Sequence, residues 1–163
     1  MKHDERIGTW KLALLAGLAG GAAEVLWVTL YSSLTTTSGI MVARQVAASF
    51  WPAAAGWAAA PALGIIIHMA LAVALAAAFA PFLPRFAAQY PGPKTIMMGA
   101  VAALVIVWAV NFFLILPALN PAFVTLMPYG ATLLSKMLFG VTMARVFQRA
   151  APRRATAGRG FRD

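Results

Sequence analysis

The chain has 163 residues, 62% of them hydrophobic and only 10% charged. Soluble domains run about 45–50% apolar and about 25% charged, so the composition excludes an ordinary soluble globule and a disordered chain and points to the bilayer. Thirteen Lys and Arg against four Asp and Glu give a net charge of +9, but the basic residues sit at the ends of apolar runs without aromatic interleaving or a nucleic-acid motif, so they read as membrane topology and not as a nucleic-acid surface.

There is no cysteine, hence no disulfide framework, thiolate metal site or Cys nucleophile. A spanning helix needs roughly 20 mostly apolar residues. Four runs meet that length, at about 12–34, 61–83, 95–116 and 128–147. The expected fold is therefore all-α: a polytopic four-helix transmembrane bundle in one domain over residues 1–150, followed by a basic cytoplasmic tail over 151–163.

The first run follows Lys2, Arg6 and Lys11. Asp4 and Glu5 dilute that basic start and Glu24 interrupts the apolar stretch, which predicts a retained helix and not a cleaved signal peptide. Ala13, Gly17, Gly21, Glu24, Val28 and Tyr31 share one stripe, and its glycines form a small-xxx-small packing face. The outer segment 35–60 opens with Thr35, Thr36, Thr37 and Ser38, which suit a helix start. Ile40, Ala43, Val46, Ala47 and Phe50 then recur at helical spacing, with Arg44, Gln45 and Ser49 opposite. This pattern predicts a short interfacial helix ended by Trp51-Pro52, with Trp57 as a further anchor; the alternative is a plain loop over the bundle.

In the second run Gly64, His68, Ala72 and Ala76 recur every four residues, a second packing face. The inner loop, Pro84-Arg85-Phe86 to Tyr90-Pro91-Gly92-Pro93-Lys94, is broken by proline. The third run carries Ala100, Ala103, Val107 and Asn111 on one stripe. The uncharged outer loop from Pro117 to Pro128 contains Asn120-Pro121-Ala122, which reads as a turn opening. The fourth run presents Thr132, Lys136 and Gly140 on one face. Arg149, Arg153 and Arg154 follow it and are expected to touch anionic headgroups.

Eleven Lys and Arg flank the inner sides of these runs and one, Arg44, lies in the outer connections. The positive-inside rule then puts both termini and the middle loop in the cytoplasm of a bacterial inner membrane.

Four polar residues fall inside the spans: Glu24, His68, Asn111 and Lys136. Counted from the outer ends at about 1.5 Å per residue, they lie roughly 9–15 Å deep. One from each helix at one depth predicts a single polar layer, with a Glu24–Lys136 ion pair and hydrogen bonds from His68 and Asn111. Intramembrane ionisable residues are costly and normally pair toward the bundle interior. The layer serves either to fix helix register or as a proton or substrate site. Glu24 and His68 are too few to ligate a metal, a haem would have to be shared with another subunit or take a Met ligand, His68 being the lone intramembrane histidine, and no triad order or phosphate loop is present. No cofactor and no enzyme activity are expected.

The Gly-rich first span (Gly17, Gly20, Gly21, Glu24, Trp27), the long outer loop, His68 in span two and the prolines Pro117, Pro121 and Pro128 before span four give a pattern that resembles the YagU-like family of small four-helix inner-membrane proteins. The resemblance implies a fold and a link to acid tolerance; Lys136 departs from that pattern. Two functions follow as expectations. The first is an accessory, stabilising or assembly subunit of a larger membrane complex, whose partners are the bilayer and other membrane subunits or a second copy of the chain. The second is a small proton-coupled transporter or channel working as a homo-oligomer, with Glu24, His68 and Lys136 as relay.

Overall fold

The computed structural model describes residues 2–82 and 93–150 and is helical throughout, with no strand among the described residues. Expectations for the inner loop at 83–92 and for the tail with Arg153 and Arg154 fall outside those residues. Helix α1 spans Lys2–Leu34, α2 Gly39–Phe50, α3 Ala60–Phe79, α4 Pro93–Val110, α5 Leu116–Leu119, α6 Pro121–Val124 and α7 Tyr129–Ala150. Short 3-10 turns cover Pro52–Gly56 and Ala80–Phe82, and a π turn, Asn111–Ile115, joins α4 to α5.

Among the described residues three stretches are long and apolar enough to cross a membrane: Trp10–Leu34, Ala60–Phe82 and Lys94–Leu119. Helix α7 has 22 residues but carries Lys136, Arg145 and Arg149, which lower its apolar character. The outward faces of the long helices are studded with exposed Leu, Ile and Met, as a lipid-facing surface requires.

The helices form an arc. Helix α1 is central and packs on α3 and α7; α2 packs on α3, and α4 on α7, while α3 and α4 barely touch. Small residues carry the close crossings, because lipid supplies no hydrophobic drive between helices and only close backbone approach brings dispersion contacts. A Cβ on Gly17 would come 2.5 Å from Val73 Cα, and one on Gly21 2.9 Å from Ala72 Cβ. A Cβ on Gly140 would come 3.0 Å from Val101 Cα. On Gly64 it would overlap the Ala43 carbonyl oxygen, so α2 lies hard against the start of α3. The inner core is built of buried alanines around Phe139, Leu104 and Met143, with the Phe139 ring seated on Gly20.

Helix α2 starts at Ser38, whose side chain accepts a hydrogen bond from the Met41 N–H, the usual way to satisfy an orphan amide of a first turn. Its polar residues do not face away from the protein. Arg44 Nη1 donates to Ala55 O at 2.7 Å and Trp57 O at 3.1 Å, tying down the turn that follows, and Gln45 and Ser49 face α5 and α6. Val42, Ala47 and Ala48 are buried, while Ile40 and Phe50 are exposed. Backbone carbonyls and the amide of Asn120 offered those polar groups partners that the periodicity could not register.

The third span does not stop at Pro117. Proline has no N–H and its ring crowds the carbonyl four residues back, so the ladder slips by one: Leu116 N–H donates to Asn111 O, five residues earlier. That π turn carries the helix past Pro117 to Leu119. The predicted outer loop from Pro117 to Pro128 is thus largely helical, with α6 turning back through Phe123 toward α7.

Candidate functional site

The polar side chains inside the bundle come from four of its helices, and three meet at one point. Lys136 Nζ of α7 lies 2.8 Å from Oε1 and 2.9 Å from Oε2 of Glu24 on α1. Ser135 Oγ donates to Glu24 Oε1 at 3.3 Å. His68 Nε2 of α3 sits 3.5 Å from Glu24 Oε2 and 3.4 Å from the Gly21 carbonyl oxygen. Both of these neighbours are acceptors, which assigns the hydrogen to Nε2. Glu24 is 3% exposed and every short contact to its carboxylate is a donor. The close approach of α1 to α3 at Gly17 and Gly21 draws His68 to the acid; the α1–α7 crossing, held by Trp27 Nε1 donating to Ala131 O at 2.9 Å, brings in Lys136. The Lys136 ammonium also stands 5.7 Å from the Phe139 ring centre, near the outer limit of a cation–π contact.

Asn111 does not join this group. Gly140 against Val101 and Trp108 Nε1 donating to Thr132 Oγ1 at 3.0 Å fix the antiparallel register of α4 on α7. In that register Lys136 is level with residues 104–105, and Asn111 is level with Tyr129, whose ring meets that of Phe112 at 6.1 Å. Asn111 therefore lies six to seven residues, about 10 Å, outward of Lys136. The expectation of one common depth assumed that the spans end at one height. They do not: the π turn extends the third span well beyond the start of α7. The Asn111 amide makes no hydrogen bond among the described residues.

Above the Glu24–Lys136–His68 group lies a cavity of about 840 Å³, within the size range of ligand sites. Its walls are apolar: Val28, Ile65, Leu71, Ile106, Val110 and Phe123 are among them. Glu24, His68, Ser135 and Lys136 line its inner part, together with Ala72, Leu75 and Phe139, while Asn111 and Ser32 stand higher in its wall. The Ser32 hydroxyl is buried and has no hydrogen-bond partner. Because α3 and α4 diverge, the cavity opens sideways between them, where Ile65, Leu71, Ile106 and Val110 are exposed.

The outer end is held shut by a cluster absent from the sequence-based site. Asn120, 9% exposed, donates through Nδ2 to Gln45 Oε1 at 2.9 Å, Ser49 Oγ at 3.0 Å and Gln45 O at 3.1 Å. It joins the α5–α6 corner to α2 across the mouth of the arc. The available signal was an amide in a segment otherwise without polar partners, facing the polar face of 40–50.

Of the other singled-out residues, Gly17, Gly21, Gly64 and Gly140 all lie at helix crossings, away from the cavity floor except Gly21, whose carbonyl meets His68. Arg149 is exposed near the inner end of α7. The chain matches no protein-family model, no curated protein and no solved structure. The YagU-like resemblance accordingly rests on the residues quoted for it alone.

Proposed function

We propose that this chain is a four-span inner-membrane protein whose working site is the sideways-opening cavity, and that it binds a membrane-soluble molecule drawn from the bilayer, as a carrier or transport component and not as an enzyme. The observation that carries this reading is the pairing of an apolar cavity of about 840 Å³ with a charged, internally compensated floor. A group of ionisable residues that served register alone would be expected to close over; here it forms the end wall of an open chamber.

Helix α7 as the fourth span is supported by three features. Its 22 residues cover about 33 Å, which matches a hydrocarbon core of about 30 Å. It packs between α1 and α4. Its central charge, Lys136, is neutralised by Glu24. Four spans with eleven flanking positive charges on one side put both termini in the cytoplasm. Helix α2 then lies in the outer interface, with the exposed Trp51–Trp57 pair, ring centres 5.5 Å apart, at headgroup level. Reporter fusions after residue 163 and within 53–58 test the topology.

A second reading, an accessory subunit of a larger complex, draws on the same opening: the divergent edge of α3 and α4 has room for a helix of another subunit. Mild extraction at native expression levels separates the two. A retained small molecule with a lone chain or its homo-oligomer supports the carrier reading; a stoichiometric protein partner that shields Leu71 and Ile106 from labelling, with no small molecule, overturns it.

A further inference from the structure

Resting on that reading, the geometry points to the class of molecule: an uncharged lipid with a hydrogen-bond-accepting oxygen in its head, of the quinone, long-chain alcohol or acylglycerol type, held with the head toward Lys136 and its tail toward the α3–α4 opening.

Three observations converge on it. First, the floor has no net charge to offer. Glu24 and Lys136 cancel at 2.8–2.9 Å. An anionic head would leave the site with an uncompensated negative charge inside hydrocarbon, a cationic head with an excess positive one, and either is costly there.

Second, the polar capacity left over at the charged end is donor capacity: the Lys136 ammonium cannot accept, while the Asn111 amide and the Ser32 hydroxyl higher in the wall can both donate and accept. An ammonium has three N–H groups and a carboxamide two. Lys136 directs its hydrogens at one carboxylate only, and the Asn111 amide has no partner among the described residues. The Ser32 hydroxyl, also unpartnered, adds a donor near the outer end. Of these groups Ser32 is the buried one, and a buried polar group without a partner is rare in native structures and commonly marks a site that something else completes. An acceptor oxygen is what the Lys136 ammonium can still take, and the Asn111 amide and Ser32 hydroxyl can donate to one as well.

Third, the way in is apolar. A molecule arriving between Ile65 and Leu71 on one side and Ile106 and Val110 on the other passes exposed hydrocarbon side chains only. The floor lies eight residues, about 12 Å, below Pro128. A head that is phosphorylated or zwitterionic would have to leave the interface to reach it. An uncharged head loses far less hydration in reaching that depth.

The test uses the full chain in nanodiscs, with decyl-ubiquinone and 1-monodecanoylglycerol as neutral probes and decanoate at pH 9 and dodecylphosphocholine as charged ones. Binding is followed by equilibrium competition against a photoreactive decyl-ubiquinone. Two variants accompany the wild type. Val107→Trp fills the cavity from an exposed position of α4. Glu24→Gln/Lys136→Met removes the ammonium while keeping the floor neutral. The expected result is saturable binding of a neutral probe, stronger than that of either charged probe, and weakened about tenfold or more in both variants. A charged probe that binds best and is lost in Val107→Trp overturns the neutral-lipid assignment while leaving the cavity reading standing. Binding of every probe unaffected by Val107→Trp, or no saturable binding at all, overturns both.

Discussion

Lys136 and Glu24, 112 positions apart in the chain, meet with the ammonium nitrogen almost equidistant from the two carboxylate oxygens, at 2.8 and 2.9 Å. Such a pair in a low-dielectric surround stabilises little relative to apolar residues of the same size, because desolvation offsets most of the attraction. Its consequence is asymmetric: each charge is tolerable only while the other is present. Glu24→Gln alone strands Lys136, and Lys136→Met alone strands Glu24, so each is expected to cost about 3–5 kcal/mol. The double substitution strands neither and is expected to recover most of that loss. Detergent melting curves on all four proteins give the coupling directly. A double variant no more stable than the worse single would remove the direct pairing from the account.

That contact was readable in the sequence because a buried acid on the first span and a buried base on the last sit at similar distances from their outer ends, and each shares its face with small residues at helical spacing, Gly17 and Gly21 on the first and Thr132 and Gly140 on the last. The Asn111 height was not readable. It depends on how far the third span runs past Pro117, and a proline is compatible either with a helix stop or with a one-residue slip of the ladder. The cavity was illegible for a related reason: helical periodicity tells which face is small, but an arc left open between α3 and α4 and a closed ring of four helices have the same small faces. The polar side of 40–50 was visible, yet whether it meets water or Asn120 is decided by chain folding 71–75 residues away.

The glycines separate into those that hold helices together and those that do not. At Gly17 and Gly64 an added Cβ meets backbone atoms of α3 and α2, and backbone cannot swing aside as a side-chain tip can. Gly17→Ala and Gly64→Ala are each expected to destabilise by about 1–3 kcal/mol, the usual cost of forcing volume into a packed contact. Gly130, in the first turn of α7, has nothing within 4 Å of its added Cβ. Gly130→Ala removes backbone entropy from the unfolded chain and is expected to be neutral or to stabilise by up to about 1 kcal/mol. Thermal melts in one detergent rank the three. Equal losses at Gly17 and Gly130 would show that the α1–α3 crossing is looser than the distances imply.

Asn120 carries three contacts from one nitrogen, at 2.9–3.1 Å, and so hydrogen-bonds the α5–α6 corner to α2, which also packs against it. Asn120→Ala leaves Gln45 Oε1 and Ser49 Oγ without that donor. The expected cost is about 1–3 kcal/mol, with the loss concentrated at the outer end. Hydrogen exchange followed by mass spectrometry should show faster exchange over 39–56 and 120–127, while the core around Phe139 and Leu104 stays protected. Uniformly faster exchange through the core would mean that this corner supports the whole bundle instead of closing one end.

Pro117 acts on the same corner from a distance. The π turn that it imposes inserts one extra residue per turn before α5, which rotates everything beyond Leu116 by about 100° relative to an uninterrupted α-helix. That rotation aims Asn120 at Gln45 and Ser49. Pro117→Ala restores the missing N–H, lets the regular i to i−4 ladder form through Phe113, and is expected to turn Asn120 out of reach. If the effect runs through this one amide, Pro117→Ala and Asn120→Ala should cost similar amounts and the double substitution little more than either. Losses that simply add would place the contribution of Pro117 in the α4–α5 ladder itself, and would separate the π turn from the closure of the cavity's outer end.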